Sequence, residues 1–211
     1  MFDFAELVNS IVEGDVSRAA EFTRKALDSQ ISAKEILDNG LLPAMDRVGN
    51  SFEGGEIFLP ELLMAGDAMK AAIELLRPEL AKKGASYAGR YAIGTVQGDL
   101  HDIGKNIVIL MLEGNGWDVV DLGTDVSPEQ FCDVIKKSDF DILGLSALLT
   151  FTMPMMAETI SNLKEAGLRN KVKVMIGGAP VTPSFADKIG ADAYARDAVE
   201  AVALAKSLLN K

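Results

Sequence analysis

The sequence predicts an α/β protein in which an N-terminal helical bundle precedes a doubly wound, five-stranded parallel sheet. Three observations lead to this fold. Residues 1–85 carry apolar side chains at helical spacing and almost no runs of β-branched residues. From residue 90 to residue 211, five short apolar segments alternate with helical patterns, as in parallel sheets covered by helices. Between these two domains, Gly84, Ser86 and Gly89 are typical of a linker.

The N-terminal domain is predicted to contain four or five helices. Asp15 is of a residue type that caps helix N termini, and it precedes the second helical pattern. Gly40 and Pro43 are expected to interrupt the third. Pro60 suits the first turn of a long helix over about residues 60–82, because proline is tolerated where no intrahelical N–H is needed.

The C-terminal domain is predicted to consist of five β–α units. The strands are expected at residues 91–96, 118–122, 142–146, 172–176 and 191–194. The helices are expected at residues 103–113, 128–137, 154–166, 183–189 and 197–209. Crossover connections between parallel strands are right-handed, so an open doubly wound sheet is the expected topology.

Composition and charge exclude several classes of function. Asp plus Glu outnumber Lys plus Arg by 31 to 21, which gives a formal charge of −10 and argues against a nucleic-acid partner. The single cysteine, Cys132, cannot form an intrachain disulfide and favours a reducing compartment. No apolar run reaches the roughly 18 residues that a membrane span needs, and the N terminus lacks a signal-peptide pattern. We therefore expect a cytoplasmic protein without membrane contact.

Small and polar residues gather where the predicted strands end. Ligands of open α/β sheets bind outside the carboxyl ends of the strands. The first strand is followed by residues 97–104 (QGDLHDIG), the third by residues 146–152 (SALLTFT), and the fourth by Gly177 and Gly178. The first of these turns lacks both the dinucleotide-binding glycine pattern and the P-loop lysine motif. The sequence thus predicts a ligand site of another kind at this edge.

The first turn also contains the only histidine of the chain, His101, two residues after Asp99. A carboxylate at this spacing can accept the N–H of one ring nitrogen. The other nitrogen is then fixed as a metal ligand of raised basicity. This pair is the strongest candidate for chemistry in the sequence.

These residues resemble a known signature. Asp99-Leu-His101-Asp-Ile-Gly104, followed by Ser146-Ala-Leu148 and Gly177-Gly178, resembles the D-x-H-x-x-G … S-x-L … G-G signature of B12-binding domains. Phe58-Leu-Pro60-Glu in the helical half looks like the cap domain of cobalamin-dependent methionine synthase. The two-part layout is still more similar to the corrinoid proteins of methanol, methylamine and methoxyaromatic methyltransferase systems. The resemblance covers essentially the whole chain, and it implies a helical cap before a flavodoxin-like, Rossmann-type B12-binding domain.

The resemblance implies roles for individual residues. His101 would be the lower axial ligand to the cobalt of cobalamin or a related corrinoid, bound base-off and His-on. Asp99 would hydrogen-bond His101, and Thr152 would continue this relay. Phe58 would lie over the upper face of the corrin, although an aromatic residue before Pro60 also fits a hydrophobic staple. Further residues would flank the ligand loop or line a slot for the displaced nucleotide tail: Gly98, Asp102, Gly104, Ser146, Leu148, Thr150, Gly177, Gly178 and Ala198.

Simpler roles are open for part of this set. Ser146 and Thr150 could cap the helix that follows them. Gly177 and Gly178 could form a plain strand-to-helix turn.

The function implied by the resemblance is that of a methyl carrier with little activity of its own. It would shuttle a methyl group between the Co(I) and methyl-Co(III) states of its corrinoid. Its partners would be a substrate-specific methyltransferase, an acceptor methyltransferase using tetrahydrofolate or a thiol, and a reductive activase. Two alternatives are a B12-binding mutase subunit, which generally lacks the cap, and a B12-dependent sensor or regulator, which usually adds a DNA-binding domain. A third is a storage or chaperone role.

Overall fold

The computed structural model describes residues 3–82 and 87–209, and the chain divides into two compact units. One unit comprises residues 1–87 together with 113–116, and the other comprises residues 88–112 and 117–211. Residues 83–86 of the predicted linker lie outside the described residues. We propose that the domains span residues 1–85 and 90–211. Within the described ranges, no helix is both long and apolar enough to cross a membrane.

The described part of the first unit is built from helices. They are α1 (Ala5–Val12), α2 (Val16–Asp28), α3 (Ala33–Ile36), α4 (Leu42–Glu53) and α5 (Leu59–Lys82). The Asp15 side chain caps α2 as predicted, since its Oδ1 accepts from the Arg18 backbone N–H at 2.9 Å. Pro60 lies in the first turn of α5, also as predicted. Long apolar side chains are fully buried in this unit: Leu7, Ile11, Ile36, Leu41, Met45, Leu62 and Leu76.

The helix break expected at Gly40 and Pro43 does not occur. Leu37–Leu41 form a π-helical turn that joins α3 to α4, so the chain stays helical from residue 33 to residue 53. A Cβ atom on Gly40 would lie 2.9 Å from Leu7 Cδ2, so tertiary packing explains this glycine. Pro43 is tolerated because it lies at the start of α4, directly after the wider turn has changed the hydrogen-bond pattern.

The second unit contains a sheet of five parallel strands. They are β1 (Arg90–Thr95), β2 (Asp118–Asp121), β3 (Ile142–Ser146), β4 (Lys173–Gly177) and β5 (Ala193–Ala195). The helices that follow them in turn are α6 (Ile103–Gly114), α7 (Pro128–Lys137), α8 (Pro154–Glu165), α9 (Pro183–Ile189) and α10 (Ala198–Leu209). The predicted fold class is confirmed, and each predicted element begins and ends within about two residues of the observed one.

The strand order β2-β1-β3-β4-β5 fixes where a ligand can bind. The chain moves outward from β1 in one direction to reach β2, and then continues on the opposite side with β3. The connections that leave β1 and β3 therefore diverge, and they open a crevice at the carboxyl ends of these two neighbouring strands. The apolar residues of the strands are buried in the core of this unit, among them Leu143, Leu145 and Val174.

Candidate functional site

Two loops form the crevice, residues 96–102 after β1 and residues 147–153 after β3. The first loop begins with a tight turn in which the Asp99 backbone N–H donates to the Val96 carbonyl at 3.1 Å. Gly98 lies at the third position of this turn with φ 81°, the positive value that a type II turn requires there. The Thr95 hydroxyl then donates to the His101 carbonyl at 3.0 Å and draws the loop back toward β1.

The Asp99 carboxylate is fully buried and takes part in five hydrogen bonds that reach both loops. Its Oδ1 accepts from the His101 backbone N–H at 3.1 Å and lies 2.7 Å from His101 Nδ1. Its Oδ2 accepts from the backbone N–H groups of Leu148 and Leu149, at 2.8 and 3.2 Å, and from the Thr152 hydroxyl at 2.9 Å. Burial alone would raise the pKa of Asp99, but the hydrogen bonds outweigh it and hold this pKa well below its usual range.

The ionised Asp99 determines which nitrogen of His101 is free. A carboxylate without a proton can only accept, so Nδ1 carries the hydrogen and Nε2 of the neutral ring keeps its lone pair. The His101 side chain is 52% exposed, so a ligand can reach it. Among the described residues, no cluster of three His, Cys, Asp or Glu side chains could hold a metal ion.

Exposed apolar side chains flank His101. Leu100, Ile103 and Phe151 are each at least 69% exposed, and Leu148 is 44% exposed. All four belong to the two loops of the crevice or to the first residue of α6. Large apolar side chains left in solvent on neighbouring loops mark a binding surface. The combination of one free imidazole nitrogen with an apolar surround fits a broad, largely apolar ring system.

The small residues at the ends of β3 and β4 have a structural reason of their own. Ser146 pairs with Gly177 in register, and the Ala147 backbone N–H donates to the Gly177 carbonyl at 3.2 Å. Gly178 has φ 124°, and a Cβ on it would lie 1.9 Å from the Ala147 carbonyl oxygen. Gly178 is thus required by the backbone, and a larger residue there would disturb the fold before it could block any ligand slot.

The other predicted residues show simpler surroundings. Asp102 caps α6, since its carbonyl accepts from the Asn106 backbone N–H at 2.8 Å. A Cβ on Gly104 would meet nothing within 4 Å. Thr150 is exposed, and neither it nor Ser146 caps α8, whose N-cap residue is Met153 with no side-chain cap bond. Ala198 is buried at the start of α10.

Phe58 belongs to the helical unit, just before α5. Its backbone N–H donates to Glu61 Oε2 at 3.0 Å, while its ring is 68% exposed. A hydrophobic staple would bury this ring against the helix, so the staple interpretation is wrong.

Two residues at this edge of the sheet were missed from sequence. Asp125, in the β2–α7 loop, accepts from the Gly98 backbone N–H at 2.7 Å and donates its own N–H to the Asp99 carbonyl at 3.0 Å. Lys105 is almost fully buried in α6 and pairs with Asp121 at 2.6 Å. A lysine in a largely apolar helix was the available signal for Lys105. No local pattern marks Asp125 as a loop contact.

Family models match both parts of the chain. A model described as a B12 binding domain matches residues 89–203, and a second model with the same description matches residues 4–77. The first match alone covers more than half of the chain.

Curated relatives match along the whole length. A corrinoid protein of Desulfitobacterium hafniense is 43% identical over 209 residues, which is 98% of this chain and 97% of the relative. Dimethylamine corrinoid protein 1 of Methanosarcina acetivorans is 50% identical over 181 residues, 85% of each chain.

Solved structures agree with these relatives. A cobalamin-binding protein from D. hafniense superposes with a TM-score of 0.83 at 34% identity and full coverage of both chains. A chain of the methanol:cobalamin methyltransferase complex from Methanosarcina barkeri has a TM-score of 0.86 at 30% identity, covering 99% of this chain and 80% of that one. The protein therefore belongs to the family of corrinoid proteins with a B12 binding domain.

Proposed function

We propose that this protein is the corrinoid-binding methyl carrier of a methyltransferase system. The observation that carries the proposal is the buried Asp99 carboxylate, which holds His101 with Nε2 free at a solvent-accessible edge. Relatives named as dimethylamine and trimethylamine corrinoid proteins support a methyl-carrying role over a mutase or a sensor, because they match 99% and 94% of the chain. The methanol methyltransferase complex among the structural neighbours supports the same role.

Bound cobalamin, or a related corrinoid, would supply the cobalt that accepts and gives up a methyl group. The chain itself supplies the lower ligand, His101 Nε2, in place of the cofactor's own base, so that the corrinoid is held base-off and His-on. Asp99 fixes the tautomer and the direction of the ring through its contact with Nδ1. Apolar side chains around His101, such as Leu100 and Ile103, would exclude water from the lower face of the ring.

The Thr152 hydroxyl extends the Asp99–His101 pair, and it can donate its hydrogen to either of two acceptors. This hydroxyl lies 2.9 Å from Asp99 Oδ2 and 2.8 Å from the Leu149 carbonyl, but it has one hydrogen to donate. Donation to the Leu149 carbonyl leaves more negative charge on Asp99. Donation to Asp99 Oδ2 draws part of that charge away from His101. Thr152 would thus tune the charge that Asp99 presents to Nδ1.

The displaced nucleotide tail would enter beside the carboxyl ends of β3 and β4. The residues proposed to flank the ligand loop or the tail are Gly98, Asp102, Gly104, Ser146, Leu148, Thr150, Gly177, Gly178 and Ala198. The exposed Phe58 ring would contact the upper face of the corrin in the loaded protein.

The partners proposed for this carrier are separate proteins. A substrate-specific methyltransferase would load the methyl group, and an acceptor methyltransferase would pass it to tetrahydrofolate or a thiol. A reductive activase would restore the corrinoid after accidental oxidation. No role for nucleic acid or membrane is proposed.

The carrier role predicts a strict dependence on partners. Corrinoid-loaded protein alone should not demethylate methanol, methylamines or methoxylated aromatics, because a methyl carrier depends on a partner methyltransferase to bind and activate the donor. With the cognate methyltransferase added, it should gain one methyl group per chain, measured with radiolabelled donor. Turnover by the isolated protein would contradict the carrier role.

Ligation by His101 is tested by electron paramagnetic resonance of the cobalt(II) form. Wild-type protein should show nitrogen splitting that changes when histidine carries the heavy nitrogen isotope. His101→Ala should lose this splitting and bind corrinoid more weakly, while Lys136→Ala, on the exposed side of α7, should match wild type. Splitting that persists in His101→Ala would refute the proposed ligand.

The tail slot is tested at Ser146, because Gly178 cannot be changed without disturbing Ala147. Ser146→Val adds bulk that a β-strand accepts, and it should weaken binding of complete cobalamin by about 1–3 kcal/mol, as for other overpacked sites. Binding of cobinamide, which lacks the nucleotide tail, should be unchanged in calorimetric titrations. An equal loss for both ligands would place the tail elsewhere.

The role of Phe58 is tested by photolysis of bound methylcobalamin. An apolar ring over the upper face favours recombination of the radical pair, so Phe58→Ala should photolyse faster than wild type. Val16→Ala removes another exposed apolar side chain of the same unit and should leave the rate unchanged. Equal rates for Phe58→Ala and wild type, at equal cofactor occupancy, would remove Phe58 from the site.

A further inference from the structure

We propose that Asp125 is a positioning residue for His101. It acts through two hydrogen bonds to the backbone of the turn that carries Asp99, which are together called the clasp. The inference rests on the proposed ligation by His101 and extends the site to the β2–α7 loop. This loop lies outside the signature residues that first pointed to the site.

The clasp consists of two hydrogen bonds in opposite directions. The Asp125 carboxylate accepts from the Gly98 backbone N–H at 2.7 Å, and the Asp125 backbone N–H donates to the Asp99 carbonyl at 3.0 Å. The first distance is short, as expected when the acceptor is ionised. A parallel bridge between Val96 and Val126 lies next to this pair. The turn before His101 is thereby joined to the loop after β2.

The backbone of Asp125 indicates that its side chain is needed. Asp125 has φ 55°, a left-handed conformation that costs conformational energy in most residues, although Asp and Asn adopt it more readily than others because their side chains can hydrogen-bond locally. Gly123, two residues earlier, adopts φ 85° at no such cost. A glycine at position 125 would relax the backbone but could not accept the Gly98 N–H. The strain at Asp125 is therefore compensated by the contact with the ligand loop.

Asp99 is held from two sides as a result. From the β3 side, the backbone N–H groups of Leu148 and Leu149 donate to its carboxylate. From the β2 side, Asp125 forms hydrogen bonds with the main chain of Gly98 and of Asp99 itself. The direction of the His101 ring depends on both the carboxylate and the backbone that carries it. Without the clasp, the Asp99 carboxylate keeps its hydrogen bonds to the β3 side. The backbone of the turn before His101 becomes more mobile, so the imidazole ring is less well oriented for a ligand.

A second tie lies on the other side of His101. Lys105 Nζ, in the first turn of α6, binds Asp121 Oδ1 at 2.6 Å, and the same oxygen accepts from the Gly123 backbone N–H at 2.9 Å. The last residue of β2 thus contacts the chain after His101, and the β2–α7 loop contacts it before His101. Because Lys105 is buried, removing its partner would destabilise the whole unit. Asp125 is exposed, so its contribution can be separated from folding.

Three variants separate the clasp from strain and from charge. Asp125→Asn keeps a side-chain oxygen that can accept and tolerates positive φ, so it should behave as wild type. Asp125→Gly relaxes the backbone but removes the acceptor. It should bind cobalamin about tenfold more weakly, in line with the loss of one hydrogen bond to a charged group, and show less histidine-derived splitting in the cobalt(II) form. Asp133→Asn, on exposed α7, controls for net charge and should have no effect.

Cofactor-free protein provides a readout that does not depend on ligation. Exchange of the Gly98 amide hydrogen should be at least about tenfold faster in Asp125→Gly than in wild type, because this N–H loses its acceptor. The thermal unfolding midpoint should stay close to that of wild type, since a solvent-exposed N–H can bind water instead.

The outcomes distinguish this inference from the proposed function. If Asp125→Gly ligates and binds as wild type does, or if folded Asp125→Asn loses the splitting, the positioning role is wrong while His101 ligation stands. If wild type shows no His101-dependent splitting, the ligation proposal fails, and with it the positioning role. Unchanged exchange at Gly98 in Asp125→Gly would refute the clasp whatever the spectra show.

Discussion

The buried charge of Asp99 is the constraint on which the rest of the site depends. An ionised carboxylate removed from water is very costly unless hydrogen bonds replace its hydration. Here Leu148, Leu149 and Thr152 provide donors on one oxygen, and His101 provides them on the other. The two loops therefore cannot take independent positions, because moving either one would leave the buried carboxylate without hydrogen-bond donors. The same requirement fixes the hydrogen of His101 on Nδ1.

The strand order makes this arrangement possible. Asp99 follows β1 and the donors of Leu148 and Leu149 follow β3, about 50 residues later in the chain. These groups meet because β1 and β3 are hydrogen-bonded neighbours whose carboxyl ends lie side by side. On the other flank of β1, the loop after β2 reaches the same turn through Asp125. The ligand loop is thus supported from both neighbouring strands, as expected at a topological switch point.

The sequence predicted what local patterns determine and missed what depends on distant contacts. Apolar periodicity located the strands and helices, and the spacing of Asp99 and His101 indicated their hydrogen bond. The helix through Gly40 was not predicted, because its continuity depends on packing against Leu7 rather than on local propensity. Asp125 was missed for a similar reason, since its acceptor oxygen meets an N–H 27 residues earlier in the chain.

The hydrogen bonds of the ligand loop are made by groups of the chain itself. Asp99 has donors on each oxygen, and the Gly98 N–H has an acceptor in Asp125. These bonds restrict the loop, and a restricted loop loses less conformational entropy when a ligand binds. Among the described residues, no hydrogen bond reaches His101 Nε2, and the side chains of Leu100, Ile103 and Phe151 are exposed beside it. The proposed corrinoid would use both features at once, whereas a bare metal ion would use only the first.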